Sequence, residues 1–131
     1  MKIAISGSNG LIGTFLKPYL KNMGYQVIPI VRNPNQDGLL WNPENEDINS
    51  ELLEGFDCLI NLNGKKIDRI LPISEKESIK NSRISSTKTL SSAISKLTNP
   101  PKIFLSASGF GYYGDRGLQN LTENEPPGKG F

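Results

Sequence analysis

The stretch Lys2-Ile-Ala-Ile-Ser-Gly-Ser-Asn-Gly-Leu-Ile-Gly13, KIAISGSNGLIG, decides the fold. It opens with apolar residues and a serine, which predicts a short buried strand over residues 1–6. Three glycines follow in the spacing GxxGxxG, and an apolar pattern with helical spacing begins at Leu11. Strand, glycine loop and helix in this order are the setting in which glycine motifs bind dinucleotides.

The glycine loop predicts a binding site for a pyrophosphate. Gly7 suits a tight turn, Gly10 lets the backbone approach an anion, and Gly13 lets the helix pack on the sheet. The N–H groups that open a helix favour an anion by about 0.3–1 kcal/mol for each contact. The strand–loop–helix setting favours this hypothesis over a glycine turn that binds nothing. The predicted contacts are Gly7, Ser8, Asn9, Gly10, Leu11, Ile12 and Gly13.

Strands and helices alternate along the rest of the chain, which predicts an α/β fold: a Rossmann-like, doubly wound parallel sheet with helices on both faces. The loops at the carboxyl ends of its strands should share one edge, where such sheets bind ligands. The predicted strands are residues 1–6, 27–31, 56–62 and 102–106, with a short strand at 39–41.

Two helices are predicted from apolar spacing. The first runs from Leu11 to Met23, with Pro18 bending it and Gly24 ending it. The second follows the capping pattern Ser74–Glu77 and ends before two prolines. On the second helix, Ile84, Thr87 and Leu90 have the spacing of core residues. A further short helix is predicted over residues 48–53.

The composition is that of one ordinary globular domain. The chain has 131 residues, of which 36% are hydrophobic and 21% charged, with a net charge of +2. This charge does not indicate a nucleic acid or a membrane surface as partner. The lone Cys58 cannot form an internal disulfide, which favours a cytoplasmic protein. There is no histidine, the commonest zinc ligand, and no metal site is predicted.

The end of the second predicted strand bears on the choice between NAD and NADP. An acidic residue there would bind the ribose 2′-hydroxyl of NAD. No Asp or Glu occurs between Gly10 and Gln36, and Arg32 follows the strand. A guanidinium matches a 2′-phosphate through two hydrogen bonds. The pattern therefore favours NADP, the alternative being that Arg32 is an ordinary solvated arginine.

The third core strand ends in Asn61-Leu-Asn-Gly64, where amide and glycine residues would let a ligand approach the backbone. An ordinary turn is the alternative on local grounds. Arg83, on the second helix, is either a solvated arginine or a residue that faces the sheet edge.

The segment Ser106–Gly117, SASGFGYYGDRG, follows the last predicted strand and carries a family resemblance. With the motifs below, it resembles an atypical, epimerase-like subgroup of the extended short-chain dehydrogenase/reductases. Members of that subgroup are predicted nucleoside-diphosphate-sugar epimerases, sometimes labelled cell-division-inhibitor-like. The supporting motifs are GxxGxxG, Arg32, Trp41-Asn-Pro43, Asn61-Leu62, Gly64, Ser82-Arg83, Thr87, Thr122-Glu123 and Pro126-Pro-Gly128.

The resemblance implies a role for each matching position. It implies that Asn61, Leu62, Asn63, Gly64 and Arg83 belong to the cofactor site, and that Ser106 and Ala107 flank the nicotinamide. Ser108 would be the catalytic hydroxyl that hydrogen-bonds the substrate oxygen, and Tyr112 and Tyr113 would contact the substrate. The substrate implied is a small molecule of the nucleotide-sugar class.

The larger group also has a catalytic Tyr-x-x-x-Lys pair, which does not occur in this sequence. Two hypotheses follow. In the first, residues 1–131 are the N-terminal NADP-binding domain, with an incomplete Rossmann-like fold, of a longer oxidoreductase or nucleotide-sugar epimerase, and are inactive alone. In the second, the chain is a non-catalytic NADP-binding sensor or interaction module.

Overall fold

The computed structural model describes residues 1–65 and 73–129, and the described part contains one six-stranded sheet. The strands are β1 Lys2–Ser6, β2 Gln26–Val31, β3 Leu39–Asn42, β4 Asp47–Ile48, β5 Cys58–Asn61 and β6 Ile103–Ser106. Their order across the sheet is β4-β3-β2-β1-β5-β6. All neighbouring strands pair in parallel except β3 and β4, which are antiparallel. This confirms the predicted Rossmann-like parallel sheet.

Two α-helices connect the parallel strands: α1 spans Leu11–Asn22 and α2 spans Ile73–Ile94. Helix α1 runs through Pro18 and is followed by Gly24, which has a φ of 82° and donates its N–H to the Lys21 carbonyl. A left-handed glycine that closes a helix in this way is the expected end signal. The side chain of Ser74, the predicted cap of α2, lies outside the described residues.

The two faces of the sheet carry separate apolar clusters, because side chains alternate along each strand. Ala4 of β1 points to the cluster that α2 covers with Leu90 and Ala93. Ile3 and Ile5 point to the opposite cluster, against which Leu16 and Leu20 of α1 pack. The sheet is therefore doubly wound, with one described helix on each face.

The apolar spacing of α1 predicts more burial than the structure shows. Leu16 and Leu20 pack on the sheet, but the other large apolar side chains of this helix are mostly exposed. A helix presents only one narrow stripe to a sheet, and a wider apolar pattern cannot all be covered by it. The exposed side chains are Leu11, Ile12, Phe15 and Tyr19.

The prediction that Ile84 packs in the core was also wrong. Ile84 is 52% exposed, whereas Ser86, Leu90 and Ala93 are buried. Ile84 lies two residues before Ser86, which places it about 200° around the helix from that buried position. Leu90 is a core residue as predicted.

The remaining differences concern short elements. The predicted helix at residues 48–53 is a strand, β4, followed by a 3-10 helix at Ser50–Leu53. Further 3-10 helices lie at Pro43–Asn45 and Phe110–Tyr113. Asn42 caps the 3-10 helix at Pro43–Asn45, and Asn49 caps the one at Ser50–Leu53. Each asparagine side chain accepts backbone N–H groups, which explains why short helical turns begin there. None of the helices that the structure describes is long and apolar enough to cross a membrane.

We expect Leu90→Ala to lower the free energy of unfolding by about 3 kcal/mol, because it leaves a cavity in the cluster under α2. Urea denaturation followed by circular dichroism measures this. Ile84→Ala, on the exposed side of the same helix, should cost less than about 0.5 kcal/mol. Equal losses in the two variants would contradict the placement of α2.

Candidate cofactor site

The glycine loop leaves β1 where the strand order of the sheet reverses, between β1 and β5. Such switch points are where open α/β sheets bind ligands. Gly7 has a φ of 69°, and a Cβ there would lie 2.7 Å from the carbonyl carbon of Leu62, which follows β5. A side chain at position 7 would thus be strained and would collide with the neighbouring strand end.

The start of α1 offers unpaired backbone N–H groups. The first intrahelical bond runs from Thr14 N to Gly10 O at 2.9 Å, so the amides of residues 11–13 have no intrahelical acceptor. Gly10, at the N-cap, has no side chain to accept them, and the first turn contains no acidic residue. The geometry fits an anion such as a pyrophosphate oxygen.

Gly13 was predicted to let α1 pack on the sheet, but the atoms nearest to a Cβ there belong to the glycine loop. A Cβ at this position would lie 2.5 Å from the Gly7 carbonyl oxygen and from Ser8 Cα. The close approach is therefore between α1 and its own glycine loop. Ser8 is buried by this packing, with 3% of its surface exposed.

A cavity of about 410 Å³ lies at the carboxyl ends of β1, β2 and β5. Its size is within the range usual for small-molecule and cofactor sites. The loops that follow β1, β2 and β5 meet in this cavity, because parallel strands bring their carboxyl ends to one edge of the sheet. The lining residues are Gly7, Ser8, Asn9, Gly10, Ile30, Val31, Arg32, Asn33, Gln36, Trp41, Leu62, Asn63 and Gly64.

Arg32 lies at the border between this cavity and a second one of about 980 Å³. The side chain is exposed and makes no hydrogen bond or ion pair with residues 1–65 or 73–129. The loop behind it is ordered by Asn33, whose Oδ1 accepts from Asn35 N at 2.9 Å. The second cavity is bounded by α2 and is polar, with Glu44, Lys65, Glu77, Ser78, Asn81, Ser82 and Ser85 in its wall.

Asn61 connects four elements through its side chain. Its Oδ1 accepts from Ser6 Oγ at 2.7 Å and from Asn63 N at 3.2 Å. Its Nδ2 donates to Thr87 Oγ1 at 3.3 Å and to Ser106 Oγ at 3.2 Å. An amide has two acceptor and two donor positions, so all are used within the protein. Asn61 thus positions the neighbouring cofactor loop and the end of β6.

The last strand, β6, leads into the segment that contains the predicted substrate residues Ser108, Tyr112 and Tyr113. Ala107 N donates to Asn61 O at 2.8 Å, which continues the pairing of β5 and β6 past Ser106. Ser108, one residue further, is exposed. The rings of Tyr112 and Tyr113 pack edge to face at 5.1 Å between centroids, a favoured geometry for aromatic pairs.

The signature segment after Ser108 folds back on the later Pro-Pro-Gly. Arg116 Nε donates to Tyr113 O at 3.1 Å, and its Nη2 donates to Pro126 O at 3.3 Å. Gly128 N donates to Tyr112 O at 2.8 Å. The Arg116 side chain therefore connects Tyr113 to Pro126.

Sequence patterns missed several residues of the site. Ser6 bonds to Asn61 from 55 residues away, and no local signal marks it. Thr87 was named as a core-spaced and motif residue, but its bond to Asn61 was not predicted. Ser78, Ser82 and Ser85 recur at helical spacing on α2, and this stripe could have indicated a polar wall.

Burial raises the pKa of the Cys58 thiol, with a smaller effect from Asp57, so this cysteine is a core residue and not a reactive one.

Comparison with known proteins identifies the family of the chain. The model of the NAD dependent epimerase/dehydratase family matches residues 3–129. The chain belongs to this family. Membership in an NAD dependent family supports a nicotinamide cofactor for the chain.

Individual relatives match along nearly the whole chain. An epimerase family protein of Mycobacterium leprae is 35% identical over 98% of this chain and 42% of its own length. The structure of the human epimerase family protein SDR39U1 (isoform 2) with NADPH is 28% identical, with a TM-score of 0.81, over 97% of this chain and 43% of that one. A nucleoside-diphosphate sugar epimerase structure from Corynebacterium glutamicum is 35% identical, with a TM-score of 0.81, over 100% of this chain and 27% of that one. The chain thus spans less than half the length of these relatives.

We expect Asn61→Leu to lower the free energy of unfolding by about 2–4 kcal/mol, because the buried Ser6 hydroxyl and the Asn63 N–H lose their acceptor. Thr87→Val removes only one of the four bonds and should cost about 1 kcal/mol. Urea denaturation compares the two variants. If they lose the same stability, Asn61 does not connect the strand ends in the way its hydrogen bonds indicate.

Proposed function

We propose that the chain binds NADP and forms the cofactor-binding part of an oxidoreductase of the nucleoside-diphosphate-sugar epimerase type. The observation that carries the choice of NADP is Arg32, which lines the glycine-loop cavity without a partner among the described residues. No Asp or Glu occurs between Gly10 and Gln36 that could bind a ribose 2′-hydroxyl instead. The human relative whose structure contains NADPH supports the same choice.

The proposed cofactor contacts are assigned to residues that line the cavity or lie next to it. The amides of residues 11–13 and the backbone of the glycine loop would hold the pyrophosphate, and Arg32 the 2′-phosphate. Leu62, Asn63 and Gly64 would lie along the ribose. Ser106 and Ala107, next to Asn61 at the end of β6, would flank the nicotinamide.

The proposed substrate is a nucleoside diphosphate sugar, a class supported by the 35% identical relative from Corynebacterium glutamicum, a nucleoside-diphosphate sugar epimerase. The nicotinamide, when bound, accepts and returns a hydride at a sugar carbon. Ser108 would hydrogen-bond the oxygen on that carbon, and Tyr112 and Tyr113 would contact the sugar. A hydroxyl alone is a weak acid or base, so Ser108 is assigned binding and polarisation.

The second candidate function is a non-catalytic NADP-binding sensor or interaction module. One observation favours it: no tyrosine of this sequence is followed four residues later by lysine. The two functions differ in hydride transfer, which only the first requires.

We expect the protein to bind NADPH about 10–100-fold more tightly than NADH, which is the ratio that one charge-assisted bond of about 1.5–3 kcal/mol supplies. Arg32→Gln should remove this preference by weakening NADPH binding while leaving NADH binding unchanged. Lys21→Gln makes the same charge change on the far end of α1 and should preserve the preference. Titration of nicotinamide fluorescence measures all these affinities. Equal affinities in the wild-type protein would overturn the NADP assignment.

We expect Ser108→Ala in the full-length protein to leave the affinity for NADPH within about twofold and to abolish hydride transfer from a nucleoside diphosphate sugar to NADP, because the hydroxyl is assigned to the substrate oxygen. Calorimetry measures the affinity, and the absorbance of reduced nicotinamide measures the transfer. Loss of both together would make Ser108 a structural residue. Cofactor binding by the full-length wild-type protein without hydride transfer from any nucleoside diphosphate sugar would favour the sensor function.

A further inference from the structure

Helix α2 and the ends of β5 and β6 meet in a hydrogen-bonded layer of three side chains. Asn61 Nδ2 donates to Thr87 Oγ1 and to Ser106 Oγ, and the two hydroxyl oxygens lie 3.4 Å apart. Every polar side chain of this layer has a partner inside the protein. The layer fixes the height of α2 relative to the two strand ends.

A second layer lies directly beyond the first. A helix that connects two parallel neighbouring strands runs antiparallel to them, so residues before Thr87 extend past the strand ends. Arg83 lies one turn before Thr87, about 6 Å further out. Ser108 lies two residues after Ser106, up to about 7 Å further out along the chain. Arg83 and Ser108 thus follow from two side chains in contact, Thr87 and Ser106, and each lies a short step along the chain beyond that layer.

Gly64 completes this outer layer by contact with Arg83. A Cβ on Gly64 would overlap the Cζ and Nε atoms of Arg83, so the half-buried guanidinium lies against the bare backbone of the glycine. Gly64 does not have a left-handed φ. The bare backbone at position 64 therefore gives the guanidinium room to lie here, and a side chain would make the arginine move.

Two groups of the outer layer have no hydrogen-bond partner among the described residues. Neither the Arg83 guanidinium nor the Ser108 hydroxyl makes a hydrogen bond with the parts of the chain that the structure describes, 1–65 and 73–129. A guanidinium carries five N–H donors in a planar fork that matches a carboxylate or phosphoryl group. Arg83 and Ser108 line neither of the two cavities at the cofactor end.

We propose that Arg83 and Ser108 form a substrate subsite for an oxyanion, a carboxylate or a phosphoryl group, with Gly64 as the platform that orients the guanidinium. The proposal rests on the proposed function in placing the substrate at the end of β6. It assigns Arg83 to the substrate and not to the cofactor, whose anionic groups are already matched by the start of α1 and by Arg32. Ser108 donates to a neighbouring oxygen of the same substrate.

The test uses two probes, inorganic phosphate and malonate, on NADPH-saturated protein at constant ionic strength. The nuclear magnetic resonance of the Arg83 Nε–H group reports binding at this side chain, and calorimetry gives the affinity. We expect at least one probe to shift this resonance in a saturable way, and the probe that does so distinguishes a phosphoryl from a carboxylate subsite. Arg83→Gln should weaken that probe about tenfold or more.

Matched variants separate the subsite from general charge effects. Lys80→Gln removes one positive charge from the exposed side of the same helix and should leave the probe affinity unchanged. Gly64→Ala should weaken the probe to a similar extent as Arg83→Gln, because the added Cβ displaces the guanidinium. The double variant Gly64→Ala with Arg83→Gln should lose no more than Arg83→Gln alone, because the two changes act on one interaction.

Two results would overturn the subsite. One is that neither probe moves the Arg83 resonance. The other is that Arg83→Gln weakens NADPH itself by as much as it weakens the probe, which would place Arg83 in the cofactor site. If the wild-type protein fails to bind NADPH, the proposed function fails instead, and the same titration on cofactor-free protein still tests the subsite.

Discussion

The hydrogen bond between Ser6 and Asn61 joins the carboxyl ends of β1 and β5, and the site is built around it. Both residues are buried, and they lie where the order of the sheet reverses. Because a buried amide must satisfy its remaining atoms, Asn61 also bonds Asn63, Thr87 and Ser106. The same requirement thus places the cofactor loop, α2 and the end of β6 relative to one another.

The proposed site would bind anions although the protein is not strongly basic. The net charge is only +2, and the positive groups are the amides that open α1, Arg32 and Arg83. Each amide or dipole contact contributes only about 0.3–1 kcal/mol, so the glycine loop provides affinity by concentrating several of them. In the proposed sites the arginines would add specificity, since a planar fork discriminates between ligands that differ by one phosphate or carboxylate.

The sequence predicted the parts of the fold and site that depend on neighbouring residues. Gly7 and Arg32 could be assigned because each follows directly from the strand before it, and parallel strands bring such loops together. The partners of Asn61 could not, since Ser6 and Ser106 are 55 and 45 residues away from it. Apolar spacing located α1 and α2 but not which apolar residues are covered, as Phe15 and Ile84 show. Burial depends on the width of the sheet contact, which no local pattern contains.

Two glycines of the site are required for different physical reasons, and the difference separates backbone from side-chain function. Gly7 has a left-handed φ, so any L-residue there is strained whatever surrounds it. Gly64 does not have a left-handed φ, and the atoms nearest to a Cβ there belong to the Arg83 guanidinium, the far end of a flexible side chain. The first glycine is therefore needed by the turn, whatever its partners. At the second, an added side chain would displace the arginine, so this glycine acts through the position of Arg83.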